Sequence, residues 1–108
     1  MDDPRHAAAE ITVTDDVAAS RYEAIVDGVL AFAEYRRRGA VIAFTHTLVP
    51  HEIAGRGVAD ALARRALDDA RAAGLRVVPR CPFFAAFMRR HPEYDDLRAP
   101  ATHADGAP

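Results

Sequence analysis

The 108-residue chain contains no lysine, since all 14 of its basic residues are arginine. It has a single cysteine, Cys81, which excludes an intrachain disulfide and a cysteine-based zinc site. No hydrophobic run approaches the roughly 20 residues that a membrane span needs. The N-terminal residues are acidic and include no apolar stretch, so we expect no signal peptide. These absences predict a cytoplasmic protein with no membrane partner and no metal.

The charge and composition are those of an ordinary globular protein. The formal net charge is −2, which gives no general electrostatic attraction to nucleic acid. Half of the residues are hydrophobic, and the length suits one domain. We place that domain at residues 10–97, between a flexible N-terminus at 1–9 and an Ala/Pro/Gly-rich, disordered tail at 98–108.

The spacing of apolar residues changes once along the chain. Up to residue 49 it is typical of strands, interrupted by the turn dipeptide Asp27-Gly28 and by Gly39, which predicts an antiparallel meander. From Val58 to the stop residue Gly74 the period is helical. A short strand at 75–78 and a second helix at 83–90 follow. The predicted fold class is α+β, a mixed α/β domain on a largely antiparallel sheet.

A glycine turn, Gly55-Arg56-Gly57, precedes the first helix. The unpaired N–H groups and the dipole of a helix N-terminus attract anions, and glycines allow close approach of the backbone. The turn is therefore a candidate phosphate site, to which Arg56 adds a charged fork. The alternative is a purely structural turn. There is no Walker motif, and a dinucleotide fingerprint would need glycine where Asp60 stands.

The segment 46–97 resembles the small stand-alone N-acetyltransferase domains of the GNAT superfamily. The motifs that carry the resemblance are His46-Thr47, Val49-Pro50, the glycine turn with Val58-Ala59, residues 78–83 (Val-Pro-Arg-Cys-Pro-Phe) and residues 91–94 (His-Pro-Glu-Tyr). The resemblance implies a minimal GNAT-like fold, in which two splayed central strands, here 41–49 and 75–78, hold the pantetheine arm of coenzyme A. Pro79 supplies a physical reason for the splay, because it has no N–H to donate across the sheet.

The resemblance also implies a function, which is transfer of an acetyl group from acetyl-CoA to a small-molecule or protein amine. The residues it assigns to coenzyme A are Leu48, Val49, Gly55, Arg56, Gly57, Val58, Ala59, Cys81, Phe84, Phe87 and Arg90. For Phe84 and Phe87 a core role is the alternative, and for Arg90 a solvated helix end. Ala54 departs from the family pattern, because glutamine or arginine is usual at that position.

Two residues are candidates for the chemistry. His46 is the candidate base, since imidazole titrates near neutral pH. Alternation predicts that it shares the face of Phe44 and Leu48, and a hydrogen-bonded core histidine is the alternative. Cys81 is expected either to line the thioester site or to carry the acetyl group, with a buried hydrophobe as its alternative. Phe87 stands where the family usually has a proton-donating tyrosine.

The missing tyrosine leaves the role of proton donor either empty or filled by Cys81 or Tyr94. Together with Ala54, it also keeps open a coenzyme A-binding module with little or no catalysis. A plain interaction domain with a structural glycine turn is a further alternative. The expected oligomeric state is a monomer or a weak homodimer.

Overall fold

The computed structural model describes residues 11–100. Within this range the strands are β1 (Val13–Asp16), β2 (Arg21–Val26), β3 (Val29–Arg38), β4 (Val41–Leu48) and β5 (Arg76–Pro79), and the helices are α1 (Val58–Ala72) and α2 (Pro82–Arg90). Short 3₁₀ turns lie at Val17–Ala19, His51–Ile53 and Pro92–Leu97. The predicted flexible segment 1–9 lies outside the described residues. None of the helices described is long and apolar enough to cross a bilayer.

The five strands form one sheet in the order of the chain, with β1 to β4 antiparallel and β5 parallel to β4. Asp27 and Gly28 both have positive φ, as a two-residue hairpin turn requires, and the predicted meander is confirmed. The first strand begins at Val13. This strand includes Asp15 at a position where strand alternation favours an apolar residue. The carboxylate is accommodated there because the Tyr35 hydroxyl donates to it at 2.7 Å.

Both helices pack on one face of the sheet and form a single core with it. The buried positions of α1 are Val58, Leu62, Ala63, Ala66, Leu67 and Ala70. They recur at helical spacing, and the alanines among them let the helix lie close to the strands. The second helix buries Phe84, whose ring stacks on that of Phe44 with centroids 4.3 Å apart. The opposite face, called the outer face here, is covered by no helix of residues 11–100.

A β-bulge in β4 reverses the alternation of its side chains. Phe44 pairs with Tyr35 and His46 with Glu34, so Thr45 is an extra residue with no opposite residue in the register of β3, although its hydroxyl donates to the Glu34 carbonyl at 3.4 Å. Beyond the bulge Thr47 stands on the core face and His46 on the outer face. The expectation that His46 shares the face of Phe44 is therefore wrong.

The two central strands separate after a short parallel ladder. Their last pair is Phe44 with Pro79, and the Cys81 N–H then donates to the Phe44 carbonyl at 2.9 Å. Residues 45–48 continue β4 without β5 beside them. This opening between β4 and the chain after β5 is called the fork below, and it confirms the predicted splay.

The chain after the last 3₁₀ turn returns to β5. Arg98 forms a parallel bridge with Val77, and the Ala99 N–H donates to the Val77 carbonyl at 2.8 Å. Ala99 is buried beside Val41 and Val78 on the outer face. The predicted disordered tail is therefore wrong for its first residues, because they cover the edge of β5. Residues 101–108 lie outside the described range.

Candidate active site

The glycine turn presents open space and unpaired donors. Gly55 and Gly57 have φ of 79° and 81°, and a Cβ at either position would meet nothing within 4 Å. The first helical hydrogen bond runs from the Ala61 N–H to the Gly57 carbonyl, so the N–H groups of residues 58–60 precede it. Gly57 offers no side-chain cap. The turn therefore has the donors and the room that an anion needs.

Two predicted phosphate ligands, Arg56 within the turn and Arg90 on α2, each lie near a carboxylate. Arg56 Nη1 lies 2.7 Å from Asp27 Oδ2 across the β2–β3 turn. Arg90 Nη2 lies 3.9 Å from Asp60 Oδ1 at the start of α1. All four side chains are about half exposed, and pairs of this kind contribute only about 0–1 kcal/mol. A phosphate can therefore replace the carboxylate as the partner of either guanidinium at little cost in free energy.

Cys81 and Thr47 face each other across the fork. The Cys81 thiol donates to Thr47 Oγ1 at 3.4 Å, and the cysteine is only 5% exposed. Cys81 is also the N-cap residue of α2, where the helix dipole favours negative charge. Sequence reasoning missed Thr47 because alternation without a bulge places it on the outer face.

His46 lies on the other side of β4 from Cys81. It is exposed, opposite Glu34, with its ring 6.1 Å from that of Phe32. No hydrogen bond joins His46 to Cys81 in the part of the chain that the structure describes. The alternative of a hydrogen-bonded core histidine also fails, because the imidazole is open to solvent.

A family model for GCN5-related N-acetyltransferases matches residues 21–97, from β2 to the last 3₁₀ turn. The chain belongs to this family. Its fold is similar to that of a GCN5-like, proposed N-acetyltransferase from Staphylococcus aureus, determined in solution by NMR. The TM-score is 0.66 at 22% identity, and the match covers 84% of this chain and 90% of the other. No curated protein sequence matches the chain.

Two aromatic residues assigned to the cofactor of this GNAT domain are completely buried. Phe84 stacks on Phe44, and Phe87 stacks on His91 with ring centroids 4.1 Å apart. Their positions favour the core role over direct contact with pantetheine. Leu48, by contrast, is 44% exposed beyond the fork, where it is accessible to a ligand.

Tyr94, which the sequence offers as an alternative proton donor, has hydrogen-bond partners on α1. Its hydroxyl donates to Asp68 at 2.8 Å, and Arg64 donates to the same hydroxyl at 3.5 Å. Burial raises the pKa of Tyr94, and the hydrogen bond to Asp68 adds to this effect. Asp68 lies about 15 Å along the helix from the α1 N-terminus, at 1.5 Å per residue. The Tyr94 hydroxyl therefore lies away from the glycine turn and already has two hydrogen-bond partners.

Residues 11–100 contain no group of three or more His, Cys, Asp or Glu side chains arranged to hold a metal ion. The comparison with the family assigns none of the individual residues described above.

Proposed function

We propose that the chain transfers an acetyl group from acetyl-CoA to an amine in a direct ternary complex. The observation that supports this most is the fork, which leaves residues 45–48 of β4 without a β5 partner just before the glycine turn. A narrow slot with free backbone groups suits the amides of a pantetheine arm, which can hydrogen-bond to an unpaired strand as another strand would. The anion site at the α1 N-terminus suits the pyrophosphate.

In this proposal the backbone carries most of the binding of coenzyme A. The N–H groups of residues 58–60 donate to the pyrophosphate, and Arg56 and Arg90 exchange their carboxylate partners for phosphate oxygens. Ala54 removes a side-chain contact usual in the family but leaves these backbone donors intact. Leu48 and Val49 flank the arm where the fork opens.

The chemistry needs a proton acceptor on the amine and a proton donor on the thiolate. His46 accepts the proton from the attacking amine on the outer face. A C–N bond forms to the carbonyl carbon, the C–S bond breaks, and the Cys81 thiol gives its proton to the departing sulfur. Thr47 orients that thiol.

A second candidate function is coenzyme A binding with little or no turnover. It is favoured by Phe87, which cannot donate a proton and is sealed in the core. Calorimetry with coenzyme A and thiol release from acetyl-CoA with a panel of amines separate the two functions. Binding of coenzyme A without thiol release for any amine would support the binding module. No binding of coenzyme A at high micromolar concentrations would refute both functions.

Variants test the residue roles. We expect His46→Ala and Cys81→Ala to lower turnover at least tenfold, within the range typical of general acid–base groups, while affinity for coenzyme A changes little. His51→Ala is the matched control, because His51 is exposed and lies outside the fork. Mass spectrometry of the protein during turnover tests for an acetyl group on Cys81. Turnover unchanged in both variants would refute the assignments.

A further inference from the structure

Two adjoining depressions lie along β3 and β4, and the larger one also reaches Ala19 and Ser20 between β1 and β2. Their volumes are about 420 and 310 Å³, and both are lined by Arg36 and Thr45. Thr45 follows Phe44, whose carbonyl accepts the Cys81 N–H where the fork begins. The depressions therefore form one cleft that starts at the fork and runs along the sheet away from the glycine turn.

The smaller depression is basic although the protein carries a net negative charge. Its floor includes Val41 and Ala43, which pack with other small apolar residues on the outer face. Arg36 and Arg38 pair with these two floor residues across the strands, so all four share one face. Arg80 also lines the depression, and none of its lining residues is acidic.

The larger depression combines two arginines, Arg36 and Arg37, with a single carboxylate. Glu34 is its one lining carboxylate, and it stands directly opposite His46 on the same face. Along β3, Glu34 precedes Arg36 by two residues and Arg38 by four, which is a separation of about 7–14 Å at the rise of a strand. The cleft thus has one carboxylate beside the candidate base, opposite Arg21 of β2, and arginines farther along.

We propose that this cleft binds the acceptor, and that the acceptor is an amine carrying a carboxylate or phosphate about 7–14 Å from its nitrogen. This inference rests on the proposed function. Glu34 attracts the ammonium form of the amine and delivers it beside His46. The guanidinium groups of Arg36 and Arg38 bind the anionic end, to which their planar forks are matched. The apolar floor accommodates the methylene spacer between the two ends.

The test compares two amines of equal length, 6-aminohexanoate and hexylamine, which differ in the carboxylate. We expect kcat/KM for 6-aminohexanoate to exceed that for hexylamine by about tenfold, the ratio that two exposed charge contacts together supply. The double variant, which carries both Arg36→Gln and Arg38→Gln, should lose this preference for the carboxylate. Its turnover of hexylamine and its affinity for coenzyme A should be unchanged. The double lysine variant should retain part of the preference. Arg89→Gln, an exposed arginine on α2 outside the cleft, is the control.

Direct binding separates the failure of this inference from failure of the proposed function. Binding of 6-aminohexanoate is followed by amide chemical shifts, with and without the two glutamine substitutions. Binding that is lost in the double variant, without thiol release in the wild type, supports the cleft and refutes the transferase. Thiol release that is equal for both amines and insensitive to the substitutions overturns the inference and leaves the transferase standing. No binding and no preference for the carboxylate overturns it as well.

Discussion

Replacing Gly57 by alanine tests whether the glycine turn binds phosphate or has only a structural role. Gly74→Ala is the control, because it introduces the same backbone strain at another position. Gly57 has φ of 81° and Gly74, which follows α1, has φ of 72°. A Cβ meets no atom within 4 Å at either position, so alanine adds backbone strain without a clash. Strain of a left-handed alanine is about 1–2 kcal/mol. Both variants should lose that amount, which lowers Tm by roughly 4–8 °C per kcal/mol.

The two variants should differ in their affinity for coenzyme A. The new methyl group at residue 57 enters the open space before the N–H groups of residues 58–60, where the pyrophosphate is proposed to bind. We expect calorimetry to show at least a tenfold weaker Kd, about 1.4 kcal/mol, for Gly57→Ala and no change for Gly74→Ala. Thermal melting confirms that the losses of stability match. If both variants are equally destabilised and both bind coenzyme A like the wild type, the phosphate role of the turn is refuted.

Three further predictions follow from the described contacts. Phe84→Ala should lower the free energy of unfolding by about 3–5 kcal/mol in denaturant titration, because it empties a fully buried site; a loss below 1 kcal/mol would contradict the packing. Burial and a hydrogen bond to Asp15 raise the pKa of Tyr35 to about 12. Above pH 10 the unfolded chain releases this proton while the folded protein still holds it, so the free energy of unfolding decreases between about pH 10 and pH 12. Melting curves of Tyr35→Phe should show a smaller decrease in stability over the same pH range. Asp27→Asn keeps a residue that tolerates positive φ and removes the carboxylate partner of Arg56, so coenzyme A should bind more tightly. Arg56→Gln should weaken the binding of coenzyme A. Calorimetry that shows the reverse order of affinities would contradict the proposed role of Arg56.

The order of elements could be predicted because each depends on a local pattern. The apolar stripe that begins at Val58 and the glycine at 74 define α1 without reference to the rest of the chain. The turn at Asp27-Gly28 likewise fixes its hairpin through two neighbouring residues. Pro79 marks the fork in advance, because a proline cannot extend the ladder beyond it.

The faces of β4 could not be predicted, because they depend on pairing with β3. Strict alternation assumes one partner per residue, and only the register of the two strands reveals that Thr45 has none. The same holds for the contact of Ala99 with Val77, which joins residues far apart in sequence. A small apolar residue in a stretch rich in alanine and proline has no neighbouring sequence pattern that predicts its burial.

The bulge at Thr45 links the two halves of the proposed site. By inserting one residue, it turns Thr47 towards Cys81 and the fork while His46 faces the open side of the sheet. The proposed proton acceptor, His46, and the proposed proton donor, Cys81, therefore lie on opposite sides of β4 beside the fork. A thioester held in the fork meets the amine from the outer face and loses its thiolate towards the core face. In the proposed arrangement acceptor and coenzyme A need not share an entrance, so a sheet whose helices, within residues 11–100, lie on one face would hold both substrates at once.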